Sequence, residues 1–185
     1  MDTYTKIKDI FHSGTHAFRV NEESIMEIAF LIDEKYLLLE TINISNKNEY
    51  YKILESDNLN NKEKFYKASG GAEAHVALKL LLEKYLNKNY EIAVDFEKSF
   101  CGYFPDVLSK DKHIVGECGH TQNSEKMLVY FKNGKIKECI QFPYPDSENE
   151  NMLGHKFTAG DDLHEFLDFL HLEKINKARS FVSKR

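Results

Sequence analysis

Between residues 72 and 142 the spacing of apolar residues switches from helical to alternating and back, and this succession limits the fold more than any other feature. After the break at Gly70-Gly71, Ala74, Ala77, Leu78, Leu81, Leu82 and Tyr85 hold one face of a helix over 72–86, with Asn87 and Asn89 in its stop. Residues 90–96 read as a strand with Tyr90, Ile92, Val94 and Phe96 on one side, and residues 103–108 as a second. Asp111-Lys112 makes a turn, and 113–118 is a short apolar strand suited to the centre of a sheet. A helix over 123–132 turns Met127, Leu128 and Phe131 inward and is capped by Thr121 or Asn123. Asn133-Gly134 ends it, and 135–142 is a fourth strand. The order is helix, three strands, helix, strand. Hairpins are expected first, then a parallel pair joined by a right-handed crossover, which together make an α/β fold with a mixed sheet.

The flanks are read less completely. Ile25, Ile28, Ala29 and Ile32 fall at helical spacing after Asn21, and residues 36–44 read as a strand. Residues 143–160 are polar and hold Pro143 and Pro145, which reads as a loop; 161–178 then forms an amphipathic helix through Leu163, Phe166, Leu167, Leu170 and Ile175. The expected division is an N-terminal extension over 1–66 packed on the core, the core over 67–142, the loop over 143–160 and a C-terminal helix over 161–185. All four belong to one globular domain, as a length of 185 residues suggests.

Three separated cysteines, Cys101, Cys118 and Cys139, do not form a disulfide framework and fit a reducing compartment. No stretch is apolar enough for a membrane span and no secretory leader precedes the first helix, so a cytoplasmic location is expected. A net charge of −5 does not advertise nucleic-acid binding in bulk, although Lys174, Lys177, Arg179, Lys184 and Arg185 gather positive charge near the end.

The chemistry concentrates between Tyr103 and Asn123. Asp106 sits on one strand of a hairpin and Glu117 near the end of the next, where side chains of neighbouring strands meet on a shared face. Two such carboxylates, with the Cys118 carbonyl as a third oxygen, suit a hard divalent cation, Mg²⁺ or Mn²⁺. Gly119 ends the strand in a position open to conformations other residues avoid. His120 then lies at the rim, placed for a phosphate or a proton, and competes with a plain turn histidine. Gln122 is able to hold a water. His75 could face the site from the first helix, one position away from Glu73's row, and competes there with a packed or exposed histidine.

On Pro105-Asp106, Glu117 and this order of elements, residues 71–142 resemble the PD-(D/E)xK nuclease superfamily, with its restriction-endonuclease-like core of order αβββαβ. The resemblance implies metal-dependent phosphodiester hydrolysis of a nucleic acid, expected to be DNA, with Asp106 and Glu117 as metal ligands. It also implies a helper acid on the first core helix, for which Glu73 is placed. The pattern expects lysine two residues after Glu117, where this chain has Gly119. Some members carry that lysine on the following helix, which makes Lys126 the candidate for positioning the nucleophile.

Three other readings stand beside it. A catalytically inactive nuclease-fold module would bind nucleic acid or a protein partner; a homodimer is compatible with either reading. A metal-independent hydrolase would use Cys118 as nucleophile. Zinc held by Cys118, His120 and Cys139, with His155 or Cys101, lacks the paired spacings such sites show.

Overall fold

The computed structural model describes residues 2–12, 21–56, 72–119 and 123–182, with side chains to residue 173. Its elements are α1 (Thr3–His12), α2 (Glu22–Asp33), β1 (Leu37–Asn46), α3 (Lys47–Leu54), α4 (Ala72–Tyr90), β2 (Val94–Phe96), β3 (Val107–Ser109), β4 (Ile114–Cys118), α5 (Ser124–Gly134), β5 (Glu138–Phe142), β6 (Asn151–Ala159) and α6 (Leu163–Val182). Six strands form one mixed sheet in the order β1-β6-β5-β4-β3-β2. The β2–β3 and β3–β4 pairs are antiparallel and β4–β5 is parallel, as the hairpins and the helical crossover require.

The sheet separates two apolar layers. On one face Leu108, Val115, Cys139 and Phe157 meet Ile7 and Phe11 of α1, Ile25 and Ile28 of α2, Met127 and Phe131 of α5, and Leu163 and Leu167 of α6. On the other, Val107, Ile114, Cys118, Ile140 and Phe142 meet Ala77, Leu78, Leu81 and Leu82 of α4 and Tyr50 of α3. Adjacent residues of β4 and β5 thus fall into opposite layers, the period of two that a strand buried on both faces must show. Gly116 lets α4 approach β4: a Cβ there would lie 2.3 Å from Leu82 Cδ2.

Four expectations are corrected. Residues 143–160 are not a loop throughout, because 151–159 form β6, which pairs with β1 on one side and β5 on the other. Its alternation is interrupted by Gly154, which lies against Ile44, where a Cβ would sit 2.5 Å from Cδ1. The first core helix runs past the asparagines to Tyr90: Asn89 Nδ2 bonds back to the Tyr85 carbonyl, and Glu91 leaves the helix at φ 56°. The strand over 90–96 therefore shrinks to β2. The strand over 103–108 shrinks to β3, because residues 100–103 close a tight turn, with Cys101 at φ 52° and Gly102 at φ 83°, and Pro105 has no N–H to give a ladder. Helices α1 and α3 were not foreseen.

Asn21 and Asn46 cap α2 and α3 through their side chains. Of the two candidate caps before α5, Asn123 takes the role, accepting from the Lys126 N–H at 2.9 Å. That cap fixes the first turn of α5 beside the end of β4. No helix among the described residues is long and apolar enough to cross a membrane.

Candidate functional site

The parallel strand β4 ends at Cys118, between the start of α5 on one layer and the N-terminal half of α4 on the other, and the two carboxylates flank that end, one turned to each layer. Asp106 occupies the bend just before β3, and its side chain is mostly buried. One oxygen, Oδ2, accepts the Cys118 N–H at 2.7 Å; the other, Oδ1, meets His75 Nε2 at 2.9 Å and Lys79 Nζ at 3.2 Å. Burial pushes the Asp106 carboxyl up, but the hydrogen bond and charge of His75, the charge of Lys79 and the Cys118 N–H outweigh it, so the pKa lies below the ordinary carboxylate value.

Glu117, on β4, faces the other layer. Its Oε2 accepts from Lys126 Nζ at 2.7 Å and its Oε1 from the Tyr130 hydroxyl at 3.0 Å. Lys126 and Tyr130 stand one turn apart on α5, so both reach the same carboxyl. Tyr130 is fully buried, with Phe100 and Tyr103 against its ring at centroid distances of 5.8 and 6.1 Å. Burial, reinforced by the Asp106 charge, pushes Glu117 up to about 7, although Lys126 pulls the other way. Tyr130 is raised well above the usual phenol value by burial first and by Glu117 second.

Position 119 explains why this chain has no lysine two residues after Glu117. Gly119 sits at φ 92°, where L residues are strained, and a Cβ would lie 3.3 Å from His75 Nδ1 and 3.2 Å from Tyr144 Cε2. The amine beside Glu117 comes from Lys126 instead. Lys126 Nζ also reaches the Phe104 carbonyl at 3.4 Å. Phe104 is 65% exposed, an aromatic ring left in solvent at the rim.

The structure brings Lys126 onto Glu117, but the shared face expected for the two acids is not formed: Asp106 turns to α4 and Glu117 to α5 in the other layer. The Cys118 N–H points at Asp106, and because N–H and C=O of one extended residue leave the same strand edge, its carbonyl faces that edge as well. Glu73 lies exposed in the first turn of α4, two residues from His75 and so on another flank of the helix. The residues of α4 that reach Asp106 are His75 and Lys79, one turn apart. Of the two readings of His75, the structure favours the site-facing one, as a partner of Asp106. Lys79, with no exposed surface, and Glu97, to which it is also paired, were missed. The signal for Lys79 was a lone cation inside Val76-Ala-Leu-Lys-Leu-Leu-Leu82. His120 and Gln122 lie outside the described residues.

Cys118 and Cys139 face opposite layers of the sheet, which removes the shared zinc reading. Cys118 is buried, and burial raises its thiol far above the ordinary value, which disfavours the thiolate that a nucleophile needs. Among the described residues no group of three or more His, Cys, Asp or Glu side chains is arranged to hold a metal ion. A Mg²⁺ site needs fewer, since one or two carboxylates suffice when water and a phosphate complete the shell. Hard oxygen donors fit such an ion. Burial, with the Asp106 charge, keeps Glu117 hard to ionise despite an ammonium 2.7 Å away, and a cation would relieve the second of these. No protein-family model matches the chain, and comparison with curated proteins and with solved structures finds no match.

Proposed function

We propose that this chain is a divalent-metal-dependent nuclease with a restriction-endonuclease-like core, acting on DNA as the expected nucleic acid. The observation that carries the reading is the Lys126 amine on Glu117 at 2.7 Å, at the end of the parallel strand of an αβββαβ unit. The resemblance expects the lysine at position 119; with glycine there, the candidate substitute on the next helix, Lys126, is the one whose amine lies on Glu117.

In this reading Asp106, Glu117 and the Cys118 carbonyl hold Mg²⁺ or Mn²⁺. The ion, when bound, supplies Lewis acidity and lowers the pKa of a water toward neutrality. The protein's groups do the positioning. His75 and the Cys118 N–H fix both oxygens of Asp106, and Tyr130 fixes the orientation of Glu117. Lys126, mostly buried with part of its surface open, orients the attacking water and offers charge to the phosphate. The exposed Phe104 ring gives a base a surface on which to stack.

An inactive descendant of the fold is favoured by one observation: all four carboxylate oxygens of Asp106 and Glu117 already have protein donors. A cleavage assay with Mg²⁺ and Mn²⁺ on single- and double-stranded DNA and RNA separates the two. Asp106→Ala is expected to abolish chelator-sensitive cutting, and Lys126→Ala to lower kcat by about 10²–10³ with little change in KM. Full metal-dependent cutting by Asp106→Ala would remove the site assignment. Absence of cutting and of ion binding in the wild type would leave the inactive module.

A further inference from the structure

Helix α6 spans 20 residues, about 30 Å, yet the described side chains it buries are Leu163 and Leu167, both near its start. Further along, Phe169 and Leu172 stand 57% and 58% exposed, on the opposite side of the helix from that buried pair. Asp162, Glu165, Phe169, Leu172, Asn176 and Arg179 follow one another at alternating steps of three and four residues. That is the spacing of a seam along which two helices pack, and here it runs down the side of α6 that the fold leaves bare.

The charge of this segment is divided at its middle. Residues 161–173 hold five acids and no lysine or arginine, and residues 174–185 hold five lysines and arginines and no acid. The helix dipole accounts for acids in a first turn and bases in a last one, but not for Asp168, Glu173 and Lys174 in the middle turns. A segment divided in this way is its own complement when reversed. Laid antiparallel, the acidic half of one copy runs along the basic half of another, whereas parallel copies set like charges together.

We propose that α6 pairs with α6 of a second copy, antiparallel across a two-fold axis between residues 170 and 171, so that the chain is a homodimer. In that register Phe169 of each copy packs on the partner's Leu172, Glu165 faces the partner's Asn176, and Asp162 faces the partner's Arg179. The exposed apolar pair is covered, and both acids of the seam meet a donor. The apolar centre is short, one Phe–Leu contact on each side of the axis. The dimer is therefore of micromolar strength and weakens as salt screens its flanking charges.

The experiment is sedimentation equilibrium of the full chain by itself, from a few to a few hundred micromolar, at low and high salt. Wild type is expected to pass from monomer to dimer across that range, with a dissociation constant about tenfold higher at high salt. Leu172→Glu, at a position already exposed in the fold, is expected to stay monomeric. Direction is read by electron paramagnetic resonance between nitroxides at position 180, attached to Ser180→Cys in a Cys101→Ser background, Cys118 and Cys139 being buried. The antiparallel pair is expected to hold the two labels roughly 30 Å apart along the helices, where a parallel pair would bring them to about 10 Å. A monomer throughout, even one whose basic half binds DNA, would overturn the proposal. So would a folded Leu172→Glu that dimerises as the wild type does, or labels at the shorter distance. Should Leu172→Glu fail to fold, the wild-type mass and the label distance still decide, and none of these outcomes bears on metal-dependent cleavage.

Discussion

A carboxyl buried beside another carboxylate resists giving up its proton, and Glu117 is held in that position by its place on β4. Its folded pKa is about 7 against 4.5 when unperturbed, burial being the main cause. Between those values the folded protein keeps a proton that the unfolded chain has released, so stability falls as pH rises through the window. The full loss is roughly 3 kcal/mol. In chelator, urea unfolding of the wild type at pH 5 and pH 8 is expected to show that decline, and Glu117→Gln a smaller one. Equal declines would mean that the carboxyl ionises without cost. This proton was beyond reach of the sequence, where Glu117 is one acid among 30 acidic residues. What raises it is the buried end of a strand and the neighbouring Asp106, both products of tertiary structure. Lys126 could be named in advance because its helix and cap were visible. Lys79 could not, because a lysine within an apolar helix has meaning only once Glu97 and Asp106 arrive from two other segments.

At the scale of elements, α4, β4, α5 and β5 were the most legible. Their apolar residues serve two layers at once, and that double burial leaves the strongest periodic record. Strand β6 was misread because its burial rests on partners far away in sequence, and its own pattern mixes Met152, Gly154 and Phe157 with polar residues. The contact that sets α4 on the sheet has its own test. Gly116→Ala pushes a methyl into Leu82 Cδ2 and to 3.3 Å from Val107 Cβ, within a buried apolar layer. The expected cost is roughly 1–3 kcal/mol, or about 3–9 °C in Tm. Adding Leu82→Val is expected to recover part of it, so that the pair destabilises less than the two single changes summed. A strictly additive result would mean that the layer yields elsewhere.

Over the whole molecule, the N-terminal helices and strand share a sheet and an apolar layer with the core. Leu37 of β1, Ile7 of α1 and Ile25 of α2 lie in the same cluster as Met127 of α5 and Phe157 of β6. No boundary near residue 66 divides that cluster into parts able to melt separately. One cooperative transition is expected, with coincident urea midpoints from far-ultraviolet circular dichroism and tyrosine fluorescence. An earlier loss of one signal would mean that the N-terminal elements unfold by themselves.

Strand β1 pairs with β6 from Leu37↔Ala159 to Asn46↔Asn151, so its ladder partner is made long after it. On the ribosome, β1 emerges with its hydrogen-bonding edge unmatched and stays so until residue 159 has cleared the exit tunnel. A nascent chain stalled or cleaved between α5 and β6 would hold every carboxylate and lysine of the candidate site and yet expose β1 as a template for other chains. For this topology, translation speed through the last third of the message sets how long the protein is exposed to aggregation.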